Sequence, residues 1–358
     1  MSPIIPPTME YLDSLGLWTP WVYLLIFLLT SVAMIWRLGE LENRGLEGTV
    51  LGTVVMPYCS GLSNLIFAYV LGVSGGEGRL VLENCIVNNT TNLTLLIGLP
   101  ALIWGLNIFP VKGKAAAKGK GAKGKGAKDK ASKSKKAPAK AGVAEEHRLN
   151  RLSLLLNLMA VIFFTGALWA QSQDGQIDRG DAYVLIGLFV FWQIIHVFDV
   201  LKYNIHRKQK MGILIWLDMA IIFASGYAMF TSIDWLVNWA LQEGEGLLGS
   251  EGIGWMSGWL MVLPNAMLAF YYAMKNRADI AYSSQIGDGH ICIPLCIGLF
   301  ALFSPIQIPD FFLIGVYLIL GATVVHMVLV MLLGRLPRLA GLAFSVAYGY
   351  FLYEGLIS

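Results

Sequence analysis

The chain has 358 residues, of which 56% are hydrophobic and only 14% are charged, and its formal net charge is +3. This composition argues against a soluble protein, because a soluble core of this length does not need so much apolar sequence. Apolar runs of about 18 residues or more predict membrane-spanning helices, since roughly 20 residues cross the hydrocarbon layer.

Ten transmembrane helices are predicted from the long, continuous apolar segments of the chain. The segments lack the alternating pattern of a transmembrane barrel, so the predicted fold class is an all-α integral membrane protein. The predicted spans are residues 18–36, 48–72, 80–109, 150–172, 181–203, 211–232, 254–274, 280–303, 309–333 and 337–356.

The loops between these spans alternate in charge. Basic residues occur in the loops at 37–47, 111–148 and 202–210, whereas the loops at 172–181 and 242–252 are neutral or acidic. Because basic loops stay in the cytoplasm, both termini are expected outside it. The predicted location is the plasma (inner) membrane, which the chain crosses many times.

One loop is of low complexity. Residues 111–142 carry Lys at nearly every second or third position among Gly and Ala, a composition that predicts disorder. The expected partner of this loop is the anionic lipid headgroup region of the inner leaflet. No aromatic residues that could stack on bases are interleaved, so a specific nucleic acid partner is not predicted.

A stretch of the sequence occurs twice. Residues 92–103 read NLTLLIGLPALI and residues 292–303 read CIPLCIGLFALF. Each copy follows a polar patch within an apolar helix: ENCIVNNTTN at 83–92 and SSQIGDGHIC at 283–292. Polar groups at membrane depth are costly and usually mark a pathway or a binding site. The duplication predicts a secondary transporter whose substrate lies between two repeats.

The two motif copies fall in spans two–three and seven–eight, which suggests five spans in each half. An odd number of spans makes the halves run in opposite directions, so inverted repeats are predicted. The predicted layout is a first part with helices 1–3 and the first motif (1–110), a disordered cytoplasmic loop (111–148), helices 4–5 (149–205) and helices 6–10 with the second motif (206–358).

The order of motifs resembles the cation/calcium antiporter superfamily, which includes the sodium/calcium exchangers. In that family, each of two inverted five-helix halves carries G-T-S-x-P-E followed by G-N-x-x-G-S-N-x-x-N/D. Residues 263–302 follow this layout, with Pro264 at the proline and residues 287–289 at Gly-Ser-Asn. The first copy matches three Asn positions, at Asn84, Asn89 and Asn92.

The sequence departs from the family at the ion-binding carboxylates. The resemblance implies a cation-binding Glu after each proline, but Asn265 stands at the second position and Tyr58 or Gly61 at the first. The first copy also has an apparent insertion, VSGGEG, at 73–78. Calcium prefers six to eight hard oxygens that include carboxylates. One or two carboxylates among amides suit a monovalent cation or a proton better.

The candidate ion-binding residues are the polar groups in or beside the two motif copies. Each has a plainer alternative, since an amide can bond a neighbouring helix and an acid near a helix end can reach interfacial water. The isolated polar residues Asp218 and His326 in the flanking spans are expected to form such helix–helix bonds. The predicted set is Asn84, Asn88, Asn89, Asn92, Asn265, Asp288, Glu83 and Ser284.

A weaker alternative is a soft-metal site built from Cys85, His290 and Cys292, because thiolates and imidazole bind soft transition metals. Cysteine is also common as a small apolar residue in packed helices. The spacing of these residues matches no closed zinc motif.

The predicted function is secondary active cation transport by an exchanger-like antiporter with altered selectivity, coupled to Na⁺ or H⁺. No hydrolase, nucleotide-binding or redox motif occurs, so neither an enzyme nor a cofactor is predicted. The expected partners are membrane lipids and an inorganic cation (Na⁺, H⁺ or Ca²⁺). The alternative is a transport-inactive exchanger fold that serves as a structural or regulatory subunit of a membrane-protein partner.

Overall fold

A computed structural model describes residues 16–43, 56–108, 137–204, 213–243 and 252–356, and most of these described residues are in helices. Helices form because an apolar segment in lipid must satisfy its backbone N–H and C=O groups internally. The helices are α1 (Thr19–Asn43), α2 (Met56–Ser74), α3 (Gly78–Thr91), α4 (Ile97–Trp104), α5 (Ala137–Gln171), α6 (Arg179–Asn204), α7 (Ile213–Glu243), α8 (Ile253–Met274), α9 (Ala278–Ile291), α10 (Ile297–Ala301), α11 (Phe312–Leu332) and α12 (Arg338–Leu356).

Each predicted span overlaps one or more of these helices. Residues 48–55, 109 and 211–212 of the predicted spans lie outside the described residues. In spans three and eight, two helices are joined by a π-helical segment, Asn92–Leu96 or Cys292–Cys296. The protein is a predominantly helical membrane protein. Five of its described segments are long and apolar enough to cross a membrane by length and composition alone: Thr19–Leu41, Gly78–Trp104, Arg151–Asp174, Trp216–Leu236 and Phe312–Leu332.

The two copies of the repeated sequence fold in the same way. α2 and α8 end at Ser74 and Met274, and α3 and α9 begin at Gly78 and Ala278. Equivalent residue numbers therefore differ by 200 throughout this unit. The predicted insertion at 73–78 is wrong, because that segment only forms the turn between α2 and α3, and the other copy has a turn of equal length.

Contacts between helices also occur in equivalent pairs. α3 packs on α8 as α9 packs on α2, and α4 packs on α12 as α10 packs on α6. A Cβ added at Gly98 would lie 3.0 Å from the Gly341 carbonyl oxygen, and one at Gly298 would lie 3.3 Å from the Ala182 carbonyl oxygen. Small residues permit such close helix crossings in membranes. Two antiparallel strand pairs complete the pattern: β1 (Leu106–Asn107) with β4 (Arg335–Leu336), and β2 (Gln176–Ile177) with β3 (Ile306–Gln307).

α1 and α7 pack along each other. Arg37 of α1 forms a 3.3 Å ion pair with the buried Asp218 of α7, which confirms the prediction that Asp218 bonds a neighbouring helix. Large apolar side chains of this pair are exposed, among them Trp21, Trp36 and Trp216. Such an apolar surface is expected to face lipid.

α5 begins earlier than the sequence predicts. Residues 137–148 belong to α5 rather than to the loop predicted as disordered over 111–148. Ala, Lys and Glu in this segment favour helix, and the apolar span that follows extends it. Residues 109–136, which hold most of the lysine-rich sequence, lie outside the described residues.

Candidate ion-binding site

The two polar stretches lie against each other inside the protein. All residues from 81 to 94 and from 280 to 294 are buried. Pairs of contacting residues give the relative direction of α3 and α9. These pairs are Asn92 with Asp288, Asn89 with Gly289, and Cys85 with Cys292. Residue numbers rise along one helix as they fall along the other, so the two motif copies run antiparallel.

Asn92 bonds residues of three helices and is linked to a fourth through Asn88. Its Nδ2 donates to Asn88 Oδ1 at 2.8 Å and to Asp288 Oδ2 at 2.9 Å. Its Oδ1 lies 3.4 Å from the donor Asn265 Nδ2 on α8. Asn88 Nδ2 in turn lies 3.5 Å from Asn64 Oδ1 on α2. Side chains of both repeats therefore meet around one amide.

Asp288 supplies the carboxylate of this cluster. Its side chain is fully buried, and Oδ2 also accepts a hydrogen bond from the Cys292 thiol, with Sγ 3.7 Å away. Among the described residues of the repeat helices α2, α3, α8 and α9, the buried acids are Glu83 and Asp288. The centre of the site thus holds one carboxylate in a surrounding of neutral amides.

Four buried amide oxygens of the repeat helices have no hydrogen-bond partner among the described residues: Asn84 Oδ1, Asn89 Oδ1, Asn265 Oδ1 and Gln285 Oε1. Their nitrogen atoms all donate hydrogen bonds, which fixes the orientation of the amides. A buried acceptor without a donor is costly. A cation would offset that cost, because amide oxygens are ligands for hard cations.

Two predicted residues lie at the periphery of this cluster. Glu83 is nearer the start of α3, about 14 Å from Asn92 at the helical rise per residue, and Arg79 Nε donates to its Oε1 at 2.6 Å. Ser284 Oγ donates to the Ala281 carbonyl at 3.2 Å and accepts from Gln285 Nε2 at 3.0 Å. Ser284 therefore orients Gln285.

The sequence prediction omits two amides of this region. Asn64 lies within one residue of the position equivalent to Asn265, so it takes the place predicted for Tyr58 or Gly61. Gly61 instead packs against Ile291. Gln285 donates to the Asn265 carbonyl at 3.2 Å. Its position three residues before Asp288, on the same helix face, is the signal that could have identified it.

Of the three residues of the soft-metal alternative, His290 is held apart from the two cysteines. His290 Nε2 lies 2.8 Å from the Asn157 carbonyl oxygen, and its ring packs against Trp192. Cys85 and Cys292 instead interact with each other and with Cys296. In the part of the chain that the structure describes, no group of three or more His, Cys, Asp or Glu residues is arranged to hold a metal ion.

A π-helical segment follows the polar stretch in each copy. In the first copy, the Leu93 carbonyl accepts a 2.8 Å hydrogen bond from His326 Nε2 of α11. This bond confirms the prediction that His326 bonds a neighbouring helix. Segments of this kind occur frequently at functional sites, because the widened turn breaks the regular bonding of the helix.

A family model described as "Sodium/calcium exchanger protein" matches residues 15–198 and 217–354, which include both repeats. The chain belongs to the sodium/calcium exchanger family. It is therefore a multi-pass membrane protein and a cation transporter of the exchanger type rather than an enzyme, and the family acts on inorganic cations without a cofactor.

The exchanger-family fold is also similar to solved structures of the sodium–calcium exchanger NCX_Mj. The structure soaked with 10 mM Na⁺ and 10 mM Sr²⁺ has a TM-score of 0.65 and 15% identity, over 95% of this chain and 98% of that chain. The structure with zero Na⁺ and Ca²⁺ has a TM-score of 0.61 and 16% identity, over 92% and 97%. At such identities the similarity shows the fold alone. We found no curated protein that matches the chain.

Proposed function

We propose that this exchanger-family member is a secondary active antiporter that exchanges one cation for Na⁺ or H⁺ at the Asn92–Asp288 site. The proposal rests on one observation: buried amide side chains from both repeats contact one another around a single carboxylate, that of Asp288. Polar clusters at membrane depth are costly and mark ion pathways. Asn89 Oδ1, Asn265 Oδ1 and Gln285 Oε1, which have no donor among the described residues, provide further neutral ligands for the cation.

In this proposal the ten predicted spans form two inverted five-helix halves with the site between them. The antiparallel contact of α3 with α9 supports the arrangement, because inverted repeats bring their equivalent helices together in opposite directions near the membrane midplane. α1 and α7, joined by the Arg37–Asp218 pair, slide across the four site helices α2, α3, α8 and α9 to give alternating access.

The proposed selectivity is for a monovalent cation, with weak or absent selectivity for calcium. A tightly held Ca²⁺ ion needs carboxylates to offset its charge. Asp288 is the buried acid at the centre of the described site, and Glu83 lies away from it, nearer the start of α3. A single central carboxylate balances one positive charge, which is carried equally well by Na⁺ or by a proton on the carboxylate itself.

The proposed location is the plasma membrane, with both termini outside the cytoplasm, on the strength of the basic loops. The lysine-rich loop then faces the anionic inner leaflet, where each Lys near the surface contributes about 1 kcal/mol of attraction. This orientation also directs the start of α3 toward the outside.

Flux measurements in proteoliposomes test the proposal. We expect a Na⁺ or H⁺ gradient to drive movement of a monovalent cation, with little ⁴⁵Ca²⁺ uptake, and no such movement in liposomes without protein. High-affinity, Na⁺-coupled calcium uptake would refute the proposed selectivity. An absence of flux under Na⁺, H⁺, K⁺ and Ca²⁺ gradients, together with a stoichiometric partner that co-purifies, would favour the transport-inactive subunit instead.

A further inference from the structure

Glu83 is buried although its ion-pair partner is not. The side chain of Glu83 is 2% exposed and that of Arg79 is 49% exposed, with Arg79 Nε 2.6 Å from Glu83 Oε1. Glu83 Oε2 is buried and accepts no hydrogen bond from any described residue. It lies directly against Gly254 of α8, where an added Cβ would overlap it. Oε2 of the buried Glu83 carboxylate therefore lacks a donor, and Oε1 accepts from the half-exposed Arg79.

Asn84 adds a second oxygen of the same kind. Its Nδ2 donates to Ser257 Oγ at 3.1 Å and contacts Met261 Sδ at 3.3 Å. Ser257 Oγ in turn donates to the Gly254 carbonyl at 2.9 Å. These bonds fix the amide, and Asn84 Oδ1 is left without a donor in the described part of the chain. Glu83 and Asn84 thus present two unpartnered, buried oxygens at the same α3–α8 contact.

A line of polar side chains leads from this contact to the central site. Asn84, Asn88 and Asn92 follow at intervals of four residues, so they lie on one face of the helix. Their partners on α8 keep the same interval, since Asn84 bonds Ser257 and Asn92 bonds Asn265. At the helical rise per residue, Asn92 is about 12 Å from Asn84. A row of polar side chains therefore runs along α3 from Asn84 to Asn92, which bonds Asp288. Val87 and Met261 also lie in the α3–α8 contact.

A purely structural ion pair does not explain this arrangement. An exposed pair at i,i+4 contributes only about 0.2–0.5 kcal/mol, whereas burying a carboxylate with one unsatisfied oxygen is costly. The second repeat has an ordinary pair close to the equivalent position: Arg277 and Asp279 are 3.3 Å apart, with side chains 40% and 36% exposed. The burial of Glu83 is thus specific to the first copy.

We propose that Glu83 and Asn84 form a second, peripheral cation-binding site at the head of this polar line, where an incoming hard cation takes the place of the Arg79 guanidinium on the carboxylate before it moves on to Asp288. This inference rests on the proposed function, since it assigns the route by which the transported cation reaches the central site. Arg79 keeps the carboxylate neutralised when no cation is bound.

Binding of ²²Na⁺ and ⁴⁵Ca²⁺ to the purified Asp288→Asn protein tests the peripheral site without the central carboxylate. We expect weak binding to remain, to fall about tenfold or more when Glu83→Gln is added, and to strengthen when Arg79→Gln is added. The matched control is Glu77→Gln, which removes the same charge from an exposed side chain at the same end of α3. The proposal would be overturned if Glu83→Gln left cation binding unchanged, or if Glu77→Gln lowered cation binding by the same factor.

Flux through the otherwise unchanged protein gives a second readout. Glu83→Gln is expected to raise the half-saturating cation concentration about tenfold at an unchanged maximal rate, and Arg79→Gln to lower it. Arg79→Lys, which keeps the charge, gives a smaller shift of the same sign if Arg79→Gln does not fold. A structural ion pair would instead give shifts of one sign with an equal loss of thermal stability. If the wild-type protein carries no flux, the proposed function fails, and the binding measurement still decides the peripheral site.

Discussion

Asn92 donates a 2.9 Å hydrogen bond to Asp288 across the contact between the two copies of the repeated unit. The two residues are not equivalent in the repeat, since Asn88 corresponds to Asp288 and Cys292 corresponds to Asn92. The first copy therefore brings amides to both positions, and the second brings a carboxylate and a thiol. The two copies thus fold alike, but only the second contributes a carboxylate at these two positions. This difference favours a single cation site over two equal ones.

Asp288→Asn is expected to reduce cation flux to the level of liposomes without protein. The substitution removes the carboxylate that balances the bound cation while keeping the size of the side chain. Asp279→Asn is the matched control, because it removes the same charge from α9 at a partly exposed position that pairs with Arg277, and we expect normal flux. Asn92→Leu is expected to abolish cation flux in the same way as Asp288→Asn. Transport at the wild-type rate by Asp288→Asn would place the site elsewhere.

Asn265→Glu is expected to create calcium transport. Asn265 Nδ2 lies 3.4 Å from Asn92 Oδ1, and Asn92 bonds Asp288, so a Glu here adds a second carboxylate to the same cluster. Two carboxylates repel each other unless a divalent cation lies between them. We expect ⁴⁵Ca²⁺ uptake to rise about tenfold, equivalent to roughly 1.4 kcal/mol of affinity, whereas Asn265→Gln leaves it low. No gain in a folded Asn265→Glu protein would contradict the position assigned to Asn265.

The sequence predicted the helices well because hydropathy and helix length are local properties of the chain. The repeat predicted which stretches meet, since the two copies lie 200 residues apart and both fold alike. Asn64 escaped prediction because the family motif directed the search to a Glu position near Tyr58 or Gly61. Its role depends on the contact between α2 and α3, which only the packing of the two helices reveals.

The prolines were harder to interpret from sequence. A proline inside a helix usually kinks or breaks it, yet α8 runs continuously through Pro264 from Ile253 to Met274. A proline removes one backbone donor, and in a membrane helix neighbouring groups can satisfy the freed carbonyl. The irregular backbone lies instead in the π segments after the polar stretches, Asn92–Leu96 and Cys292–Cys296. Pro294 lies in the second of these segments, whereas the first, NLTLL, contains no proline. The two segments therefore share no proline that would predict this geometry.

His326→Phe is expected to destabilise the protein. His326 Nε2 donates to the Leu93 carbonyl at 2.8 Å, and its ring stacks on Phe344 with the ring centroids 4.2 Å apart. Phe keeps a stacking ring but leaves the buried carbonyl of the π segment without its donor, at a cost of about 1–3 kcal/mol. Thermal unfolding in detergent measures the change. His326→Gln can still donate and should recover part of the loss; equal midpoints for all three proteins would show that the bond contributes nothing.

Gly341→Ala is expected to lower stability, whereas Gly349→Ala on the same helix is not. A Cβ at Gly341 would lie 2.5 Å from Leu102 N and 2.6 Å from Gly98 O, while one at Gly349 would meet nothing within 4 Å. Backbone atoms cannot rotate away, so α4 and α12 must separate at a cost of about 1–3 kcal/mol. Ala at Gly349 restricts the unfolded chain and is neutral or stabilising by up to about 1 kcal/mol.

Gly341→Ala should also disturb the ion site. Tyr348 on α12 is 3.1 Å from Thr91 Oγ1 and accepts from Trp259 Nε1 at 2.8 Å, so displacing α12 loosens the end of α3 beside Asn92. We expect Gly341→Ala to lower the maximal flux as well as the unfolding midpoint, and Gly349→Ala to lower neither. Flux and thermal unfolding measured on the same preparations test this link. A lower midpoint with normal flux would mean that the α4–α12 contact supports the fold without positioning the site.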